Sequence, residues 1–466
     1  MADSPLHELD AWLPFAEALR RTAPDGTAET VFTGTISPSS WGGSTLDDGD
    51  HEARWADRSR ESRDLLHDAV DPLLALTGGR EHGARVAVTD TGEVRVRIVD
   101  IPADASFSMS GGLGSIVFVE GACPEPYRRE PVDHDRPASR DVDPGAVTAL
   151  VSAALPDASG ASSEALDAVE ARLGRRLPSD VRALYLAAGD GALVLATGEE
   201  VDDAEVFYGL RIAPLDSDAA RHLDPVARYL DWSFGATEVV APDPGGRVQA
   251  LAVSSAWVVI GDDWGGNLYV ADLAPGPTGT YGQVLFVDHE TSAGASWVAP
   301  SLTELLAGRP VEVGRPGTVP GMSVHRLDDV TPSTEVLRLG GAEAVDLGPL
   351  AGHPRLRTIV VEPGAATGLD ALARVPALEY LAADTETWRA MLDAGQVPPS
   401  LLAAGFTPSH GEVDLLGQIA VANSLLERWG RPRIIVTELS TAPAPDEPAP
   451  APAPPARLPW WRRLLG

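Results

Sequence analysis

Residues 260–273 read IGDDWGGNLYVADL, with three aspartates and a Gly265–Gly266 pair set into an apolar run. Four readings compete for it: an acid pair, a metal loop, a phosphate cradle, or the turn between two strands. Neighbouring side chains on a strand point to opposite faces, so Asp262 and Asp263 do not converge on one substrate. A calcium loop needs oxygen ligands at alternate positions ending in a bidentate Glu, but Trp264 and two glycines follow Asp263. The glycines would cradle phosphate only ahead of a helix N-terminus, and NLYVADL alternates as a strand. The stretch therefore reads as strand, turn, strand.

Working outward, residues 160–308 form one unit. SSEALDAVEARLGRRLPSDVRALYLAAGDGAL predicts two short helices, with Leu166, Val169 and Leu173 on one face and Val181, Leu184 and Tyr185 on the next. RVQALAVSSAWVVIG, NLYVADL and GQVLFVDHE read as strands separated by Gly, Pro or Asp turns, and Pro300–Ser301 opens a last helix. Before this unit, residues 1–135 read as a small α+β domain. Trp12, Phe15 and Leu19 recur at helical spacing, a second helix closes on Gly78–Gly79, and ARVAVTDTGEVRVRIVDI is a hairpin around Asp90–Gly92. Residues 136–159 read as a linker.

After it, residues 320–440 carry an internal repeat. A shift of 22 superposes Leu347 on Leu369, Leu350 on Leu372, Pro354 on Pro376, Leu356 on Leu378, and Leu337 on Ile359 and then Leu381. This period lies in the leucine-rich-repeat range. Two to three turns are few for such an array, so it is expected to lean on a neighbour or on VDLLGQIAVANSLLERWG as a helical cap, with RPRIIVTEL as a final strand. Residues 441–456 are a Pro/Ala run that cannot pack a core and read as a disordered, extended spacer. At 457–466, Trp460, Trp461, Arg462 and Arg463 make a tip with two open readings: an interfacial anchor on anionic lipid, or a segment that docks on a partner or on the acidic body.

Composition bounds the function. The 466 residues carry 36 Lys+Arg against 68 Asp+Glu, a net charge of −32, which repels nucleic acid and anionic lipid and steers a basic protein toward the chain. Cys123 is the single cysteine, so no internal disulfide forms, and it reads as a small buried apolar residue in a reducing compartment. MADSPLHELDAWLPFAEALRR has no basic start with a small-residue cleavage site, and no apolar run reaches the length of a membrane span, which places the chain in the cytoplasm. SGGLGS at 110–115 leads into a strand and reads as a flexible loop. Serine elbows are absent, and the ten histidines show no metal spacing. His289, between Asp288 and Glu290, is a solvated histidine or one that titrates in a functional range. No catalytic residue, cofactor or metal site is assigned.

The helix pair LDAVEARLGRRLPSDVRALYLAAGDG, then VIGDDWGGNLYVADL, then GQVLFVDHETSAGASWVAPSLTELLAG, in that order, resemble the SUKH superfamily, whose members include Smi/Knr-type cell-wall regulators and bacterial toxin-immunity proteins. Asp190–Gly191 stands where the family often has Asn-Gly. The resemblance implies an α+β domain with a mostly antiparallel sheet that binds proteins and is not known as a catalyst, and in that pattern Gly261, Asp262, Gly265, Gly266 and Asp272 look structural. The chain as a whole is then a multidomain α+β protein: a small α+β domain, the SUKH-like domain, a short leucine-rich-repeat-like solenoid and a disordered tail. The expected function is non-catalytic protein binding, with an immunity protein that occludes a basic toxin's active site as the specific form. Asp262, Asp263, Trp264 and the Trp460–Arg463 tip are the candidate contacts. The alternatives are an envelope-growth regulator held near the membrane by the tip, and an enzyme in residues 1–135 built on Trp41, Asp47, Asp48, His51 and Trp55.

Overall fold

A computed structural model describes residues 5–24, 26–47, 52–53, 60–102, 105–108, 112–197, 207–215, 232–291, 293–308, 321–341, 343–408 and 414–441. The chain divides into two compact units, Met1–Ile101 with Ile434–Gly466, and Pro102–Arg433.

In the first unit, α1 (Leu9–Arg21) and α2 (Arg60–Leu74) pack on an antiparallel sheet of β1 (Glu29–Ser37), β2 (Ser40–Asp47), β3 (Glu52–Ala53), β4 (His82–Thr89) and β5 (Val94–Asp100). The helical spacing of Trp12, Phe15 and Leu19, with Leu66, Val70 and Leu73 of α2, puts one stripe of each helix against Phe32, Ile36, Val86, Val96 and Ile98. Each such side chain removed from water contributes roughly 1.5–3 kcal/mol. Phe15 meets Phe32 edge-on at 5.2 Å, and the buried Trp12 Nε1–H donates to the Leu6 carbonyl at 2.7 Å. At one end of the sheet, the Asp100 carboxylate lies 2.7 Å from His82 Nδ1 and 2.8 Å from His7 Nε2, and His82 Nε2 stands 2.9 Å from the Thr77 carbonyl. Burial opposes the Asp100 charge, but the two imidazoles outweigh it and hold the carboxyl below its ordinary range.

The second unit begins with β6 (Ala105–Phe107) and β7 (Leu113–Val117), followed by α3 (Pro144–Ala154), α4 (Ser163–Leu173) and α5 (Ser179–Ala187). An antiparallel meander follows: β8 (Gly191–Thr197), β9 (Phe207–Ile212), β10 (Trp257–Asp262), β11 (Leu268–Asp272), β12 (Gln283–Val287) and β13 (Ser296–Ala299), with α6 (Leu302–Leu306) after it. Both faces of this sheet are covered, which explains why its strands are apolar at consecutive positions. Ile260, Ala271 and Val284 face Val151, Leu166, Val181 and Tyr185 of the helices. Trp257, Val259, Val270 and Leu285 face Val248, Leu251, Cys123 and Tyr127 on the other side. Asp180, fully buried, accepts from the Thr303 backbone N–H at 3.0 Å and so ties α5 to the start of α6.

A parallel ladder follows: β14 (Ser323–Val324), β15 (Val336–Leu339), a short β16 (Val345–Asp346), β17 (Thr358–Val361), β18 (Ala366–Thr367) paired with β16, β19 (Tyr380–Ala383), α7 (Thr385–Asp393), β20 (Ala403–Phe406) and α8 (Leu415–Arg428). Leu337 pairs with Ile359 and Ile359 with Leu381, so the 22-residue offset is the register of adjacent strands. Leu347, Leu350, Leu356, Leu372 and Leu378 fill the interior behind them. β20 then pairs antiparallel with β7, and α8 lies against β7 and α7, with Gln418 Oε1 accepting from the Leu113 N–H at 2.9 Å.

The structure draws several boundaries differently from the sequence reading. Residues 105–128 belong to the second unit, because β7 completes the parallel sheet and Cys123 and Tyr127 pack behind the meander; Gly114 and Ser115 of the expected SGGLGS loop lie within β7. Residues 136–159 are not a plain linker: Asp143 caps α3, whose Val147 and Val151 enter the helical core. The run 247–261 is a strand only from Trp257, since its first half packs as a loop. The strand Ile435–Ser440 joins the first unit, paired antiparallel with β5. The Pro/Ala run and the Trp460–Arg463 tip, from residue 442 onward, lie outside the described residues.

Glu335, Arg357 and Glu379 occupy the same position on three successive rungs, just ahead of β15, β17 and β19. Glu335 is 2% exposed and Arg357 4%. Glu335 meets Arg357 at 3.4 Å, Arg355 at 2.5 Å and Arg129 at 3.1 Å, while Glu379 meets Arg128 at 2.5 Å. Removing one member of a buried pair leaves an uncompensated charge, at a cost of about 3–5 kcal/mol. Glu335→Gln should therefore lower the unfolding free energy from urea titrations by that order, and Arg357→Met should cost less in the Glu335→Gln background than in the unaltered chain. A purely additive result would show that the two charges are not coupled.

Candidate functional site

The corner between β10 and β11 is held by its own carboxylates. Asp262 Oδ1 accepts the Trp264 N–H at 2.9 Å, and its Oδ2 takes Arg211 Nε at 2.9 Å. Asp263 Oδ1 accepts from the N–H groups of Gly265 at 2.8 Å and Asn267 at 3.1 Å, and its Oδ2 takes Asn267 Nδ2 at 2.7 Å. These are the side-chain-to-backbone bonds by which Asp nucleates turns. Since Asn267 Nδ2 donates to Asp263, its Oδ1 is the acceptor, and it receives both the His289 N–H at 2.9 Å and His289 Nδ1 at 2.8 Å. The β12 end is thereby tied to the corner, and Gly266, at φ +96°, lets the His289 ring approach.

Trp264 is what the corner presents. Its backbone sits at φ +67°, a left-handed conformation that costs a bulky residue on the order of 1–3 kcal/mol. The indole is 51% exposed and lies across Gly209, where a Cβ would stand only 2.0 Å from the ring. The side chain of Arg211 stands beside it on the same strand, also largely exposed. Thus Asp262 and Asp263, expected to be charged contacts, are engaged in holding the turn, and Trp264 is the group left outward.

One strand further in, Asp272 is fully buried, accepting from Gln283 Nε2 at 2.9 Å and from the Ala274 N–H at 3.0 Å. Burial raises its carboxyl to about 6 against these hydrogen bonds. Together with Gly261 it has a structural place, on strands whose neighbours are buried on both faces.

Elsewhere the candidates do not converge. Trp41 lies in β2, its ring edge-on to Phe15 at 6.1 Å and to His67 at 6.1 Å. Asp48, His51 and Trp55 lie outside the described residues, as do Trp460, Trp461, Arg462 and Arg463. Among the described residues no group of His, Cys, Asp or Glu is placed to hold a metal ion, and no helix is long and apolar enough to cross a membrane. The sequence reading missed the Glu335–Arg357–Glu379 column, although a charge recurring at the repeat's own offset was there to be noticed. It also missed His7, His82 and Asp100, whose spacing carries no signal.

Residues 160–308 match the model of the SMI1 / KNR4 family (SUKH-1). The segment recognised from its helix pair, corner and final strand is therefore an SMI1/KNR4-type domain within a longer chain. Over 138 residues the chain is 28% identical to the cell wall biosynthesis/cell cycle regulator smi1 of Schizosaccharomyces pombe, across 27% of this chain and 26% of that protein's length. It thus spans about a quarter of that relative.

Because the Asp272 carboxyl is raised, the domain is favoured where Asp272 is neutral. That contribution is complete below about pH 4 and is lost as pH rises through about 6. The loss amounts to on the order of 3 kcal/mol. Asp272→Asn should remove it: the difference between variant and parent stability should slope between pH 4 and 7.5 in urea titrations. Parallel curves would place the Asp272 carboxyl in its ordinary range.

Proposed function

We propose that the chain is a non-catalytic protein-binding protein whose SMI1/KNR4 domain docks a protein partner on the Trp264 corner, in the manner of an immunity protein covering a basic toxin's active site. The observation that carries this reading is Trp264 itself: a strained, half-exposed indole seated on Gly209, with the two flanking carboxylates spent on holding it there. Trp is among the residues enriched at interface hot spots. A net charge of −32 supplies the long-range attraction for a basic partner, while the local contact is aromatic. The parallel ladder, with its 22-residue register and leucine interior, supports the reading of residues 320–440 as leucine-rich-repeat-like. The Pro/Ala spacer, the contact role of the tip and a cytoplasmic location belong to the same proposal.

A second reading, a scaffold in cell-wall or envelope assembly, is favoured by the name of the yeast relative. Deleting residues 457–466 and fractionating cells separates the two, because a membrane-linked scaffold should lose its envelope association and an immunity protein should not change.

The central test is affinity capture from the chain's own source at graded salt. A basic partner should be retained at low salt and released as salt rises. Trp264→Ala should weaken its binding by about 2 kcal/mol or more, and Gly209→Ala, which expels the ring, should match it. Retention indifferent to salt removes the electrostatic part of the proposal, and full retention by both variants removes the Trp264 corner.

A further inference from the structure

The outer face of the parallel ladder is covered by a segment of the chain itself. The single helical turn Trp232–Gly235 places Trp232 against Tyr380, the rings stacked with centroids 6.0 Å apart, in a pocket completed by Val117, Ala382 and Ala403. Trp232 is 1% exposed, and its Nε1–H donates to the Ala122 carbonyl at 3.2 Å. Beyond the turn, the Ala236 carbonyl accepts from Arg357 Nη1 at 2.6 Å and from Thr358 Oγ1 at 2.6 Å, and the Glu238 carbonyl accepts from Arg357 Nη2.

This contact has the form of peptide recognition rather than of sheet pairing. An aromatic anchor fills a pocket, and main-chain carbonyls two residues apart are read by one guanidinium and one hydroxyl. The receiving groups do not depend on the segment for their own placement. Arg357 is balanced by Glu335 at 3.4 Å and by Glu125 at 3.6 Å, and Thr358 and Tyr380 are fixed in β17 and β19. The segment adds no strand to the ladder, and its Phe234 points outward, 53% exposed.

We propose that the ladder face is a peptide-binding groove occupied in cis by residues 232–238, and that its partner in trans is a peptide of the same chemistry: a Trp on one helical turn, then a small residue four positions later with accessible carbonyls. Tethering holds the internal segment at an effective concentration in the millimolar range, so the groove opens to a partner only when that segment is displaced. This surface is separate from the Trp264 corner and does not depend on the reading given to it.

The test uses the full chain and a fluorescein-labelled peptide WSFGATEVV, residues 232–240, followed by fluorescence anisotropy. Trp232→Ala, checked for native circular dichroism, should bind the peptide at least tenfold more tightly than the unaltered chain, and a peptide with Ala for Trp should not bind. A folded Trp232→Ala variant that ignores the peptide, or equal binding by both chains, overturns the proposal. Should the variant fail to fold, hydrogen exchange on the unaltered chain decides. Amides of 232–238 should exchange well ahead of β10–β12, and exchange of both only through global unfolding overturns the proposal.

Discussion

The Arg357 guanidinium is the constraint around which the second unit is arranged. Moving such a charge out of water costs several kcal/mol unless its partners are all in place. Those partners come from three separate stretches of chain: Glu335 from the neighbouring rung, Glu125 from the segment behind the meander, and the carbonyls of Ala236 and Glu238 from the run before β10. Burial pulls the Arg357 pKa below its ordinary value, and the neighbouring carboxylates, Glu335 and Glu125 first, offset this only in part. The two carboxylates balance the charge, so shifting the stretch that carries either one would strand the cation, while the carbonyls of Ala236 and Glu238 only add to a cation already neutralised. Neither a hydrophobic contact nor an exposed ion pair would be as selective about direction.

Within that domain, packing on both faces of the meander leaves its strands little side-chain surface for a partner. What remains lies at the ends of the strands, and there the β10–β11 corner uses its acidic residues as turn glue. The division of labour follows from distance. Net charge acts over a Debye length and needs no particular residue, whereas the contact we propose would need a rigid group with a large apolar area, and Trp264, held in an uncommon backbone conformation, is such a group.

Much of this was legible in the chain, and the parts that were not share a cause. The helix pair, the Asp90–Gly92 hairpin, the corner and the columns Leu337–Ile359–Leu381 are local or periodic, so their spacing encodes them. The pairing of β7 with β20, the return of Ile435–Ser440 to β5 and the meeting of His7, His82 and Asp100 are made between residues far apart in sequence. Composition misled at residues 136–159, where Pro and Asp ahead of α3 belong to its cap. At Asp262 and Asp263 the residue types were visible, but their orientation was not: a carboxylate that accepts its own turn's N–H groups reads in sequence like one that faces solvent.

The strand Ile435–Ser440 has a consequence for how the molecule is made. It forms the border of a sheet whose other strands are translated before residue 101, yet it leaves the ribosome only after all of residues 102–433. At ordinary elongation rates that is a wait on the order of tens of seconds. Throughout it, β5 shows an unpaired edge of the kind other chains add to. Five of the six strands therefore wait with one edge open, and the pairing of Ile435–Ser440 with β5 is the seal that ends that exposure.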